Sequence, residues 1–123
     1  MSITRWLMVL LILAPMAFPN PVAAQSNEQQ YVVVYVEFLP DAAAEGGQKL
    51  QQLEGLAHAA PGVLSFYVNQ EIQRPNFYSL VEIWNSATEY QNFVSSSRTV
   101  ALVNAIQPLL EAPFDVRPGN LVE

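Results

Sequence analysis

The stretch Asn76–Tyr90 constrains this chain most, because a strand period there runs straight into a helix start. From Phe77 to Trp84 the odd positions are Phe77, Ser79, Val81 and Ile83, and the even positions are Tyr78, Leu80, Glu82 and Trp84. Strand side chains alternate between faces, so the two sets point to opposite sides of a sheet. The mostly aliphatic odd set suits a core. The even set carries aromatics and a carboxylate, which suits a cavity or an interface. Ser86 followed by Glu89 is a capping box, so a helix starts at Ser86. A polar-aromatic sheet face beside a helix start is the first place to look for a site.

The flanking segments supply the rest of a domain. Tyr31 to Phe38 is dense in β-branched and aromatic residues and is bounded by Pro40, a strand signal. Its even set, Val32, Val34, Val36 and Phe38, reads as core. Its odd set, Tyr31, Val33, Tyr35 and Glu37, resembles the Tyr78, Glu82 and Trp84 face in chemistry, so the two strands are expected to share a sheet and a side. Asp41 can cap a helix that runs to about Ala60 and is stopped by Pro61-Gly62. Ala43, Gly47, Leu50, Leu53, Ala57 and Ala60 form its core stripe. His58 lies four residues after Glu54 on the surface of that helix. With no other histidine and no cysteine in the chain, the pair reads as a solvated face and no metal site is expected.

Val63 to Gln70 is a second strand, joined through a turn at Gln73-Arg-Pro75 to the Phe77–Trp84 strand as a hairpin. A short helix from Ser86 to about Val94 is interrupted at Ser95-Ser-Ser97. Ser97 can cap a second helix from Arg98 to Glu111 with a wide apolar surface. Phe114 to Val122 closes the chain as a strand that Pro118 confines to an edge or a bulge.

Residues 1–24 stand apart. One basic residue, Arg5, precedes an apolar run from Trp6 to Phe18, and Val22-Ala23-Ala24 places small residues where a signal peptidase reads. A spanning helix needs about 20 apolar residues, so cleavage before Gln25 and export to the periplasm or beyond are expected, with no stable membrane anchor afterwards. Residues 25–30 read as a flexible lead-in and residues 31–123 as one domain. The net charge of −6 becomes −7 when Arg5 is lost. Four scattered basic residues give no surface for nucleic acid, which is excluded as a partner.

The order strand, helix, strand, strand, split helix, strand is the βαββαβ arrangement of a ferredoxin-like α+β sandwich, an antiparallel sheet with helices on one face. The other face, expected to carry Tyr35, Tyr67 and Trp84, needs a cover. Exposed aromatics in numbers mark a partner surface, and the economical partner is a second copy of the chain, a homodimer.

The element order, the helix-ending Pro61-Gly62 and the Val81-Glu82-Ile83-Trp84 strand end resemble the antibiotic biosynthesis monooxygenase family over about Tyr31 to Pro118. The resemblance implies a dimeric α+β barrel, two subunits packed sheet to sheet. It also implies cofactor-independent oxygenation of quinols or aromatic polyketides. Trp84 matches the family's pocket tryptophan, and Tyr90 lies where a helix-borne aromatic can close the pocket. Leu80 stands where some members carry Asn, and Phe93 where many carry a His.

In such chemistry the substrate supplies the electrons, while the protein binds it in a dry pocket and removes a proton. Glu82 and Glu37 are the candidate bases. Trp84 and Tyr35 can stack a ring, Tyr67 and Asn69 can hydrogen-bond an oxygen, and Tyr78 and Tyr90 complete the candidate aromatic lining. The alternatives are a binding protein for a small aromatic or apolar ligand without turnover, and a purely structural dimer. For Glu82 a salt bridge or interface contact is the bland alternative. For the aromatics it is interface packing.

Overall fold

The protein is described by a computed structural model covering residues 28–122. The expected signal segment 1–24 lies outside the described residues, as do positions 25–27 of the lead-in. Among the described residues no helix is long and apolar enough to cross a membrane. The elements are β1 (Gln30–Glu37), α1 (Ala43–His58), β2 (Val63–Gln70), β3 (Phe77–Trp84), α2 (Ala87–Ser95), α3 (Ser97–Ile106) and β4 (Asp115–Gly119). The four strands form one antiparallel sheet in the order β2-β3-β1-β4. This is the expected ferredoxin-like α+β fold.

Helix boundaries follow local chemistry. Gly62 sits at φ +87°, a left-handed turn that only glycine adopts cheaply, and this turn follows the end of α1. Ser86 caps α2 as expected, its side chain accepting from the Glu89 amide at 3.2 Å. Two expected caps are corrected. Asp41 caps nothing: Pro40–Ala42 wind into a 3-10 turn and Ala42 occupies the cap of α1 with no side-chain acceptor. Ser96, not Ser97, caps α3 and accepts from the Thr99 amide at 3.4 Å. That helix ends at Ile106 rather than Glu111, since Pro108 can only enter the following 3-10 turn, Gln107–Leu109. Strand β4 is shorter than expected and lies at the sheet edge, where Pro118 costs no internal ladder bond.

The main correction concerns β3. Its register against β1 pairs Val32 with Glu82, Val34 with Leu80 and Val36 with Tyr78. Against β2 it pairs Phe66 with Glu82 and Val68 with Leu80. The even residues of β3 therefore share the helix-covered face with the valines of β1. Phe77, Ser79, Val81 and Ile83 share the open face with Tyr31, Val33, Tyr35 and Glu37. The core joins Val32, Val34, Val36, Phe38, Phe66, Leu80 and Trp84 from the sheet to Leu50, Leu53, Ala57, Phe93 and Ile106 from the helices. On α1 it is Gly46, rather than Gly47, that is buried against the sheet. A Cβ there would lie 2.5 Å from the Phe38 ring.

Candidate active site

Glu82 and Trp84 are two residues apart on β3, hence on one face, and that face is the one the helices cover. Trp84 is completely buried and Glu82 is 5 % exposed. The indole ring of Trp84 lies 4.9 Å from that of Phe93 and 6.1 Å from that of Tyr90, both carried by α2. Its Nε1–H donates to Glu82 Oε1 at 2.8 Å. Trp84 fills the space behind the carboxyl and fixes its orientation. It contributes no wall to the cavity, which corrects its expected role as a stacking platform for a ring.

In front of Glu82 opens a cavity of about 440 Å³ between the sheet and the α2–α3 pair. Its floor is Val34, Leu80 and Glu82 and its far side is Val116 and Phe114. Leu53, Phe93, Val94, Val100 and Val103 close it from the helices, with Tyr90, Thr99, Gln91 and Asn104 as further lining. No basic residue stands on this wall. Removal from water therefore acts on Glu82 unopposed by a cation. Burial pushes its carboxyl up from 4.5 to about 7, and only the Trp84 hydrogen bond pulls the other way. Tyr90 is raised as well, first by burial and then by the neighbouring Glu82 charge. A carboxyl that titrates near neutrality in an apolar cavity can take a proton from a bound hydroxyl and return it. The salt bridge entertained for Glu82 does not form among the described residues, where the ion pairs join Arg74 to Glu71 and Arg117 to Asp115.

The eight candidate residues do not converge. Glu82, Trp84 and Tyr90 come together. Tyr35, Glu37, Tyr67 and Asn69 lie on the opposite, open face of the sheet, by the registers of β1 and β2 with β3. Glu37 and Glu82 thus cannot serve one substrate within a subunit. Tyr35 and Tyr67 are 48 % and 60 % exposed. Arg117 lies over the Tyr35 ring at 4.9 Å. Tyr78 is on the helix side but stands away from the cavity, its hydroxyl donating to the Ala43 carbonyl and accepting from the Gln70 amide, both at 3.1 Å. It anchors the start of α1. His58 is exposed, with Nε2 3.1 Å from the Phe66 carbonyl oxygen. Among the described residues no three of His, Cys, Asp and Glu gather as a metal site requires.

Sequence reasoning passed over Thr99, Val103, Asn104, Phe114 and Val116 as cavity residues. The available signal was the apolar surface of α3, wider than one helix needs to pack on a sheet. Leu80 and Phe93, noted for replacing polar residues, do line the cavity.

A sequence model for antibiotic biosynthesis monooxygenase matches residues 30–105. No curated protein matches significantly. Solved structures match closely in shape. A provisionally named antibiotic biosynthesis monooxygenase from Caulobacter crescentus superposes with a TM-score of 0.73 at 18 % identity, covering 82 % of this chain and 96 % of its own. A Mycobacterium tuberculosis protein gives 0.73 at 17 %, covering 78 % and 97 %. A conserved protein of Methanosarcina mazei gives 0.70 at 16 %, covering 79 % and 96 %. At these identities the structural likeness speaks for the fold alone.

Proposed function

The chain belongs to the antibiotic biosynthesis monooxygenase family, and from that premise we propose that it is a cofactor-independent monooxygenase acting on a quinol or another electron-rich aromatic. The observation that carries the reading is Glu82, a desolvated carboxyl at the floor of an apolar cavity. A neutral phenol enters such a cavity readily, whereas an anion would not. Transfer of its proton to Glu82 leaves an electron-rich phenolate against a mostly apolar wall. Dioxygen is apolar and partitions into the same space. One of its oxygen atoms adds to the ring and the other leaves as water, so the phenol becomes a quinone and dioxygen takes up four electrons. The Trp84 Nε1–H holds the carboxyl in place for the transfer.

The open face supports a homodimer. Tyr35 and Tyr67 are too exposed for a finished surface of this kind, and a second copy packed sheet to sheet would bury them. Residues 1–24 support a periplasmic or secreted location. A second reading is favoured by Leu80 and Phe93. With these apolar residues on the wall, Glu82 is the cavity's single carboxyl, and a protein that binds an aromatic ligand without turnover needs no more.

Oxygen uptake by the chain from Gln25 onward, with a panel of quinols and polyphenols, tests both. Uptake above autoxidation that disappears in Glu82→Gln supports the oxygenase. Saturable quenching of Trp84 fluorescence without uptake supports the binding protein. The absence of both uptake and binding would refute the cavity as a site.

A further inference from the structure

Two polar side chains are buried among the described residues, Glu82 at 5 % and Thr99 at 3 % exposure, and both line the same cavity. Glu82 comes from β3 and Thr99 from the first turn of α3, so they stand on different walls. Local structure fixes the Thr99 backbone and gives its hydroxyl one partner, Ser96 Oγ. The cap of α3 uses the Thr99 amide and Ser96 Oγ, and any residue at this position would supply that amide. A valine has the same shape and would fill the wall without burying an oxygen.

The hydrogen bonds leave the hydroxyl with spare capacity. Ser96 Oγ lies 2.9 Å from Thr99 Oγ1 and 3.0 Å from the Phe93 carbonyl oxygen, and it has one proton for the two. If Ser96 donates to Thr99, the Thr99 hydrogen has no acceptor among the described residues. If Thr99 donates to Ser96, its lone pairs remain open. In either direction the hydroxyl keeps the capacity for one further bond.

We propose that Thr99 is the residue by which this cavity selects its ligand: it binds a second oxygen function, hydroxyl or carbonyl, on an aromatic whose first hydroxyl meets Glu82. The inference rests on the reading of the cavity given above and deepens it by naming the residue that recognises the ligand's second oxygen function. Size agrees with this. A dry cavity of about 150 Å³ holds one benzene, so 440 Å³ leaves room for a fused bicyclic ligand and its substituents.

The test is isothermal titration calorimetry under nitrogen, with naphthol and a set of dihydroxynaphthalene isomers, on the wild type, Thr99→Val, Thr99→Ala and Thr99→Ser. The best diol is expected to bind the wild type about tenfold more tightly than naphthol, the worth of one hydrogen bond. The Val and Ala variants should abolish that preference by weakening the diol alone, and the Ser variant should restore it. Ala provides a second hydroxyl-free variant should Val disturb the wall. A preference that survives both substitutions, or equal weakening of diol and naphthol, overturns the assignment of Thr99 while leaving the cavity a binding site. Failure of every ligand to bind the wild type overturns the cavity reading and this inference with it.

Discussion

Replacing Glu82 by Gln should change how the protein's stability depends on pH, the mutant gaining on the wild type as pH rises. In the folded state burial holds the carboxyl at about 7 against 4.5 for the free group. A folded-state value above the unfolded one means that the native protein binds the proton more tightly. Stability from this group is therefore complete below about 4.5, falls as pH rises between the two values, and is gone above about 7. The gap between the two values, at about 1.36 kcal/mol per pH unit, amounts to about 3 kcal/mol. The substituted glutamine would keep an oxygen for the Trp84 Nε1–H and carry no titration. It would bring a buried amide whose cost does not vary with pH. In the difference between the wild type's unfolding free energy and the mutant's, that cost is a pH-independent offset, and every group common to both cancels, including Asp115 and Glu71 with their lowered values. Urea unfolding followed by Trp84 fluorescence from about pH 4 to 9 should give a difference that falls by about 3 kcal/mol, centred between about pH 5 and 7 and flat above about 8. For a domain of this size that is a relative shift of more than about 10 °C in Tm. A difference that stays level across the window would refute the claim that Glu82 is desolvated, and with it the acid–base role.

If Glu82 is the base, kcat/KM for oxygen uptake should rise with pH to a plateau above about 7, where the carboxyl is ionised, and the rise should vanish in Glu82→Gln; a rate that falls through this range would make the protonated form the active one. Gly46→Ala should destabilise the fold by up to about 2 kcal/mol in chemical denaturation, because its Cβ would meet the buried Phe38 ring at 2.5 Å and overpacking of about 1–3 kcal/mol is set against a helix gain of roughly 1 kcal/mol. Gly55→Ala, with nothing within 4 Å of its Cβ, should instead stabilise by up to about 1 kcal/mol. Tyr67→Lys should convert a dimer to a monomer in sedimentation velocity, and a wild type that sediments as a monomer would leave the open face to a different cover.

The difference between what the sequence discloses and what it conceals lies in one carboxylate. The βαββαβ order, the Ser86 cap, the Gly62 stop and the valine stripe of β1 are all legible, since each depends on local chemistry that tertiary structure leaves alone. The orientation of β3 is not. Alternation assigns a face by polarity, and Glu82 among the even residues makes them look like the outside, although Leu80 and Trp84 are the larger apolar payload. The hairpin holds a correction within the sequence: with Val68 facing the core, a register that pairs Gln70 with Tyr78 puts every even residue of β3 on the core side. A carboxylate that defeats the pattern in this way stays inside against a cost of about 3 kcal/mol at neutral pH. Open-face residues such as Glu37 and Tyr35 follow the pattern. The misplacement of β3 and the identification of Glu82 are therefore one observation, because a residue that breaks the folding rule at a standing cost is the residue whose retention requires chemistry to explain it.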